Sequence, residues 1–278
     1  VSSNGAGVRR LVLKVSNEDA AFVLGKGGVT KRKIEKVSRA QLSLDEKSLT
    51  LTLTGKSEDV VRAHDYVNMV LKQRVGPVLV DFDGVRDDLT HINVPVDSVG
   101  FVTGRNGSAL RSTEAEWGTL MFFAKHRVEE KRIEDSRKKV EKLAIFGTEK
   151  ARQGALLKVM SAVEHKHPGH FVNNDGSFRQ PLPNHGDSRF GTDTMTLARK
   201  DYAYALGKSG NTRKKLARAS GCIIEYVGRC AVFAGSLAAR TRGMEYLEWL
   251  IMQRTGSVKL DYAGRDDLSI VKVPVSSI

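Results

Sequence analysis

The sequence predicts an α+β fold built from repeated small units, each with three strands and three helices. Two observations carry this prediction. Residues 22–34 recur with similar residue types at 204–216. Each copy also sits within the same order of strand-like and helix-like patterns. A repeat at a fixed offset indicates that one supersecondary unit occurs more than once.

The first unit shows the element order most clearly. Leu11, Leu13 and Val15 alternate with polar neighbours, which predicts a half-buried strand. A helix ends at Gly25 and a second helix begins after Gly28. Two strands with alternating leucines follow, and a last helix carries one apolar stripe. The order β-α-α-β-β-α predicts a three-stranded antiparallel sheet packed on three helices.

A shorter motif marks where units begin. Residues 86–89 read Arg-Asp-Asp-Leu, Val-Pro-Val follows at 94–96, and the same pattern returns at 265–268 and 273–275. The acidic pairs therefore indicate a linking role rather than acid–base catalysis. We expect a first unit at 8–75, a second at 86–166, a linker at 167–192, a third at 193–256 and the first strand of a truncated fourth unit at 265–278.

Two segments depart from the simple repeat. Residues 129–142 form a charged insert between the second and third strands of the second unit, which we interpret as a solvated helix or disordered loop, or alternatively as an arm that contacts RNA or protein. Residues 166–192 are rich in Pro, Gly, Asn and His, which predicts a linker. Its histidines, like His165 before it, lack acidic or thiol ligands at metal-binding spacing, so we expect no metal.

The charge distribution predicts a polyanionic partner. The 278 residues carry a net charge of +13. Residues 1–76 contain 14 basic and 8 acidic side chains, residues 77–165 contain 14 of each, and residues 166–278 contain 17 and 10. The excess positive charge therefore lies in the first and third units. The second unit is neutral.

Several classes of function are excluded. No run approaches ~18 consecutive apolar residues, so we expect no transmembrane helix. Cys222 and Cys230 are the two cysteines and lie in one predicted hairpin, where buried free thiols are expected. A nucleotide-binding P-loop needs a glycine five residues before its Gly-Lys pair, where Ala20 and Tyr202 stand here. We expect no enzyme activity, no cofactor and no small-molecule substrate.

Each unit has a four-residue glycine turn between its first two helices, at residues 25–28, 104–107 and 207–210. Two glycines leave no Cβ to obstruct a sugar–phosphate chain. The helix that follows directs its unpaired N–H groups and positive dipole end at the turn. Each turn also carries one cation, which is Lys26, Arg105 or Lys208.

With these turns, the units resemble KH domains of the eukaryotic type, arranged in tandem as in vigilin and the poly(C)-binding proteins. KH domains clamp the backbone of four nucleotides with a GxxG loop. The first and third units depart from the family at one position, where Lys31 and Arg213 replace a usually apolar residue. The resemblance implies that the turns and the second helices bind nucleic acid through Gly25, Lys26, Gly27, Gly28, Lys31, Arg32, Gly104, Arg105, Asn106, Gly107, Arg111, Gly207, Lys208, Ser209, Gly210, Arg213 and Lys214.

The resemblance also implies an apolar groove for the bases in each unit, between the first two helices and the second strand. Its predicted floor is formed by Leu24, Ile34, Leu42, Val102, Leu110, Met121, Leu206, Leu216 and Ile223. An ordinary hydrophobic core is the alternative interpretation of the same residues. A groove this narrow favours single strands over a duplex.

We therefore predict a non-catalytic protein that binds single-stranded RNA, with single-stranded DNA as the alternative ligand, and acts in mRNA regulation or ribonucleoprotein assembly. We expect the first and third units to supply most phosphate attraction and the second to bind weakly. The alternative is a scaffold whose KH units contact other proteins or each other. The expected location is the cytoplasm, with the nucleus as the alternative. We also expect other proteins of a ribonucleoprotein as partners. We expect no association with a membrane.

Overall fold

A computed structural model describes residues 8–84, 86–126, 140–182 and 189–274. The first unit contains β1 (Val8–Lys14), α1 (Asn17–Leu24), α2 (Val29–Ser38), β2 (Gln41–Asp45), β3 (Thr50–Lys56) and α3 (Ser57–Val75). Its antiparallel strands lie in the order β1-β3-β2. Leu51 and Leu53 of β3 are buried under the helices, whereas the threonines between them face the other side.

The second unit repeats this order with one addition. It contains β4 (Val78–Val80), β5 (Leu89–Pro95), α4 (Val96–Thr103), α5 (Ser108–Trp117), β6 (Leu120–His126), β7 (Val140–Phe146) and α6 (Glu149–Lys166). The short β4 pairs parallel to β6, so this sheet has four strands in the order β4-β6-β7-β5. Residues 140–142 of the predicted insert belong to β7, and the rest of the insert lies outside the described residues.

The third unit contains β8 (Gly191–Thr196), α7 (Arg199–Leu206), α8 (Asn211–Ser220), β9 (Ile223–Val227), β10 (Cys230–Gly235) and α9 (Leu237–Gln253). Its antiparallel sheet has the order β8-β10-β9, which matches the first unit strand for strand. The predicted α+β class, with three-stranded antiparallel sheets packed on helices, is confirmed. The second sheet exceeds the prediction by one edge strand.

The closing helix of one unit covers the sheet of the next. Leu120, Phe122 and Phe146 on one face of the second sheet share a buried cluster with α3 of the first unit. Residues on the opposite face, such as Leu143 and Ile145, pack under their own unit's helices. Burying one such side chain stabilises a fold by roughly 1.5–3 kcal/mol. The face that carries Leu120, Phe122 and Phe146 therefore joins the first and second units firmly. Helix α6 packs on β9 of the third unit in the same way.

Part of the predicted linker at 167–192 is packed, within the described residues 167–182. Val172 and Leu182 are buried in the cluster that joins the second and third units. Val172 also forms a β-bridge with Phe178. The sequence pattern indicated a linker because its polar residues outnumber its apolar ones. Its few apolar side chains, such as Val172 and Leu182, are nevertheless buried in a hydrophobic core.

An equivalent set of Tyr, Arg and Asp contacts follows α3 in the first unit and α9 in the third. Arg86 pairs with Asp88 (Nε–Oδ1 2.8 Å), and the hydroxyl of Tyr66 donates to Asp88 (2.7 Å). Burial raises the pKa of Asp88, but hydrogen bonds from Arg86 and Tyr66 outweigh it and hold the pKa below its usual value. After α9, Arg265 pairs with Asp267 (2.9 Å), which accepts from Tyr246 (2.6 Å). We call each Tyr-Arg-Asp set a latch.

Residues 257–274 form no strand, so the predicted first strand of a fourth unit is absent from the described residues. The first strands β1, β5 and β8 each pair with the third strand of their own unit. Unpaired backbone groups remain hydrated rather than forming a strand. Residues 265–274 have no such partner within the described ranges. The prediction for residues 275–278 lies outside those ranges.

Cys222 and Cys230 are free and buried, as the hairpin pattern predicted. Burial raises the pKa of Cys230 to about 11, so this thiol stays protonated at neutral pH. Among the residues that the structure describes, no cluster of His, Cys, Asp or Glu is arranged to hold a metal ion. Within the same ranges, every helix is too short or too polar to span a membrane.

Candidate nucleic-acid interface

The three glycine turns share one backbone conformation. The first glycine has φ/ψ of 66°/171° at Gly25, 71°/171° at Gly104 and 70°/172° at Gly207. This region of φ/ψ space is accessible almost only to glycine. The fourth glycine is left-handed in each turn, with φ between 73° and 76°. The units therefore present the same turn even where their sequences differ.

Steric contacts explain why the first glycine is required. A Cβ on Gly25 would lie 2.2 Å from the Oγ1 of Thr30, and one on Gly207 would lie 2.1 Å from the Oγ1 of Thr212. The third position is open, because a Cβ on Gly27 would have no neighbour within 4 Å. Asn106 and Ser209 occupy this position with φ of 52° and 54°. The third position therefore tolerates side chains that the first does not.

The turns are open to solvent. The second and third residues of each are exposed, namely Lys26, Gly27, Arg105, Asn106, Lys208 and Ser209. Helices α2, α5 and α8 begin directly after the fourth glycine and each contain ten residues. The first N–H groups of such helices have no partner within the helix and attract anions. Each turn therefore combines accessible backbone, a helix N-terminus and a cation.

In the first unit, most of the predicted cations lie around the turn. Arg32 is exposed, and its guanidinium lies beside Gly28. Lys31 forms a surface ion pair with Glu35 (Nζ–Oε1 3.2 Å) on the next turn of α2. An exposed pair of this kind contributes little to stability and exchanges readily for a phosphate contact.

Lys33 of the first unit instead points to the second unit. Its Nζ lies 2.5 Å from the carboxylate of Glu114, which is buried on α5 and accepts a hydrogen bond from the backbone N–H of Met121 (2.9 Å). Burial raises the pKa of Glu114, and the charge of Lys33 opposes that shift. This lysine therefore holds two units together and does not belong to the phosphate-facing set.

In the third unit, the prediction for Arg213 is wrong. Its side chain is buried, pairs with the carboxylate of Glu225 (3.1 Å) and donates to the carbonyl of Ile224. The sequence placed Arg213 among phosphate ligands because it follows the glycine turn. Its position faces the sheet, where the family usually has an apolar residue. Lys214, one residue later, is exposed beside the turn.

The second unit offers a weaker cation. Arg111 is exposed, but its guanidinium donates to the carbonyl of Asn106 within its own turn and lies beside Gly107. Arg105 remains exposed on the turn. Contact with a phosphate would therefore compete with an existing hydrogen bond of Arg111, in contrast to Arg32 at the equivalent position.

The predicted groove residues divide into two groups. Five of them are buried in the cores, namely Ile34, Leu42, Val102, Met121 and Ile223. Ile34 has no exposed surface and offers nothing to a base, which corrects its assignment. The four that remain half-buried at the surface are Leu24, Leu110, Leu206 and Leu216. Leu24 and Leu206 directly precede their turns at equivalent positions, whereas Val102 stands one residue earlier.

An exposed aromatic residue three positions before the first glycine escaped the sequence predictions. Phe22, Phe101 and Tyr204 hold this position and are 37%, 47% and 40% exposed. Their common spacing from the turns was the available signal. An exposed aromatic ring stacks on a base where a bound strand passes it, so the surroundings of each ring decide whether it takes part.

A KH domain family model matches residues 10–69, which places a KH domain in the first unit. A search of curated proteins found no match. Among solved structures, Dim2p from Pyrococcus horikoshii OT3 is similar at 18% identity, covering 54% of this chain and 89% of that one, with a TM-score of 0.23. A complex of a/eIF2alpha, aDim2p and rRNA from the same organism is similar at 17% identity, covering 56% and 85%, with the same TM-score. Similarities at this level carry no argument about this chain.

Proposed function

We propose that the chain binds single-stranded RNA through its three glycine turns. The KH domain at residues 10–69 supports this function for the first unit, because KH domains recognise single strands by clamping their backbone. One observation supports its extension to the other two units: all three turns have the same backbone angles and are exposed.

The turn can hold a phosphodiester without a large side chain in the way. The phosphate approaches the backbone at the second and third positions, where an exposed Lys or Arg stands in each unit. The N–H groups at the start of the following helix complete the anion site. None of these groups contacts a base edge. Affinity from the turns is therefore independent of base sequence.

Packing between units raises the expected affinity. One KH module contacts about four nucleotides, so three imply a footprint of up to ~12 nucleotides. Joined modules convert later contacts into intramolecular ones and raise avidity by ~10² to 10⁴ where geometry permits. The buried clusters on both faces of the second sheet restrain the units more than a flexible linker would.

The three units contribute unequally in this proposal. The first and third units present exposed cations after their turns, such as Arg32 and Lys214. In the second unit, Arg111 already donates to the carbonyl of Asn106. The second unit therefore orders its neighbours more than it attracts phosphate.

A scaffold function is the second candidate, and the inter-unit packing favours it. Helices α3 and α6 each cover the sheet of the following unit, which shows that this fold serves for contacts between domains. These contacts leave the three turns exposed, so they do not replace RNA binding. A role in mRNA regulation or ribonucleoprotein assembly in the cytoplasm, and single-stranded DNA as the alternative ligand, stay predictions from the sequence.

Fluorescence anisotropy with a labelled random-sequence 12-nucleotide RNA tests the proposal on the full chain. We expect binding to the single strand and much weaker binding to a duplex of the same length. The logarithm of the affinity should fall with the logarithm of salt concentration, with a slope of about −0.7 per phosphate neutralised. Absence of binding at low salt would leave the scaffold function as the better explanation.

A further inference from the structure

A cleft of about 300 Å³ lies between the second and third units. Helices α4 and α6 form one side, and α7 with the β9–β10 turn forms the other. Its lining combines aromatic rings with a lysine and small residues: Phe101, Lys158, Ser161, Ala162, His165, Tyr202, Tyr226 and Gly228. The cleft is separate from the glycine turns and from the predicted grooves.

Flat rings form the walls of this cleft. Phe101 is 47% exposed and stacks on His165, with ring centroids 5.8 Å apart and an interplanar angle of 24°. Across the cleft, Tyr202 packs against Tyr226 at 5.9 Å. Tyr226 is fixed from behind, since its hydroxyl donates to the carbonyl of Ala205 (3.3 Å). The exposed ring of Phe101 lies across the cleft from the two packed tyrosine rings, so the space between them suits another planar group.

The charge at the cleft suits a nucleotide. Lys158 of α6 is partly exposed, and its Nζ lies 3.8 Å from the Glu225 carboxylate, a loose contact. Glu225 is paired more closely with Arg213. Lys158 can therefore approach a phosphate or a base oxygen at the cleft mouth without leaving Glu225 uncompensated.

Both walls lead directly into phosphate-binding turns. Phe101 precedes Gly104 by three residues on α4, and Tyr202 precedes Gly207 by five residues on α7. One helical turn spans about 5.4 Å, so these aromatic rings lie within about one or two helical turns of the two glycine turns. The cleft therefore lies between the two helices that lead into the second and third turns.

We propose that the cleft holds one nucleobase of a single RNA strand whose backbone is bound at the second and third turns. This inference rests on the proposed function. The base stacks on Phe101 and lies between the two units. Pockets for small molecules begin at about 300 Å³, so the volume suits one base better than a larger group. Stacking is open to any base, because every base has a π face.

Phe22 provides a matched control. It occupies the position of Phe101 in the first unit, three residues before Gly25, and is 37% exposed. Phe22 does not line this cleft. Each substitution by alanine removes an exposed phenyl group of the same size. Only Phe101→Ala also removes part of the cleft wall.

The experiment compares the full chain with its Phe101→Ala, Phe101→Trp and Phe22→Ala variants, using the random-sequence 12-nucleotide RNA. Stacking on an aromatic ring contributes about 1–3 kcal/mol per base, so Phe101→Ala should weaken binding by about fivefold or more. Phe22→Ala should change affinity less than about twofold, and Phe101→Trp should retain wild-type affinity. Thermal unfolding of each variant serves as the check on folding.

Photocrosslinking of the same RNA carrying 4-thiouridine supplies a direct readout. We expect wild-type crosslinks in peptides from α4, α6 or α7 that disappear in Phe101→Ala. Equal affinity of Phe101→Ala and the wild type, or equal losses in the Phe101→Ala and Phe22→Ala variants, would overturn the proposal while RNA binding itself stands. Absence of RNA binding by the wild type would instead remove the proposed function.

Discussion

The turns of the first and second units have the same shape and different electrostatic surroundings. Gly25 and Gly104 have nearly identical backbone angles, and both turns are exposed. After the first turn, Arg32 is exposed beside Gly28. After the second, Arg111 donates to the carbonyl of Asn106. Turn shape and turn charge therefore vary independently, because glycines determine one and the following helix determines the other.

The third unit shows that cations at the same helix position can have different roles. Arg213 and Lys31 stand at equivalent positions, three residues after the last glycine of their turns. Arg213 is buried against Glu225, whereas Lys31 lies at the surface beside Glu35. The buried pair contributes to structure, and the surface pair remains available to a ligand.

Replacing these two residues should give the largest difference in stability. Arg213→Leu leaves Glu225 buried without its closest partner, which costs about 3–5 kcal/mol. Lys31→Leu should change the free energy of unfolding by less than about 0.5 kcal/mol. Urea denaturation of both variants measures the contrast. The loss of stability in Arg213→Leu should become smaller as pH falls toward about 4.3, the ordinary pKa of a glutamate. Burial raises the pKa of Glu225, so this carboxylate takes up a proton before that pH is reached. Equal stabilities would contradict the assigned burial.

Charge reversal on the turns should give the largest difference in affinity. Replacing Lys26-Gly27 and Lys208-Ser209 together by Asp-Asp should weaken RNA binding by about 100-fold, or about 2.7 kcal/mol. The same change at Arg105-Asn106 should weaken it by about threefold to fivefold, since the second unit attracts phosphate weakly. The third position accepts side chains in two units, so these variants should fold. A larger loss from the second unit would reverse the proposed division of roles.

Alanine substitutions separate turn shape from turn charge. Gly207→Ala places a Cβ 2.1 Å from the Oγ1 of Thr212 in a backbone region that alanine avoids, so we expect a loss of about 1–3 kcal/mol in stability and weaker RNA binding. Gly27→Ala meets no atom within 4 Å, and it should cost about 1 kcal/mol with little change in affinity. Thermal unfolding and anisotropy measure both effects. Identical behaviour of the two variants would show that the close contact at Gly207 relaxes freely.

The latch between the first and second units should respond to acid. Because the pKa of Asp88 lies below its usual value, its stabilising contribution is complete above about pH 4 and declines as pH falls through the lowered value. Asp88→Asn should reduce stability by about 1 kcal/mol at pH 7 and flatten the pH dependence below pH 4. Urea midpoints measured from pH 7 to pH 2 check this. If stability depended on pH below pH 4 as steeply in Asp88→Asn as in the wild type, protonation of Asp88 would not contribute to the acid sensitivity.

The sequence predicted those features that depend on local geometry. The glycine turns, the β-α-α-β-β-α order and the free buried cysteines follow from residues close together in the chain, where spacing alone limits the conformation. The repeat also indicated the equivalence of the first and third units. These features needed no knowledge of distant partners.

The errors concern residues whose environment depends on distant contacts. Arg213 faces a glutamate 12 positions later, so its place on the helix directly after the turn wrongly indicated a phosphate contact. Val172 enters a core formed mainly by two other units, which a polar local composition conceals. The cleft beside Phe101 arises from residues of two units, and its lining is not contiguous in sequence.

The latch after α9 forms without any strand beyond it. Tyr246, Arg265 and Asp267 make their contacts within 21 residues of chain, as Tyr66, Arg86 and Asp88 do within 22. In the first and third units, contacts between near neighbours in the sequence therefore set the path of the backbone as it leaves the closing helix.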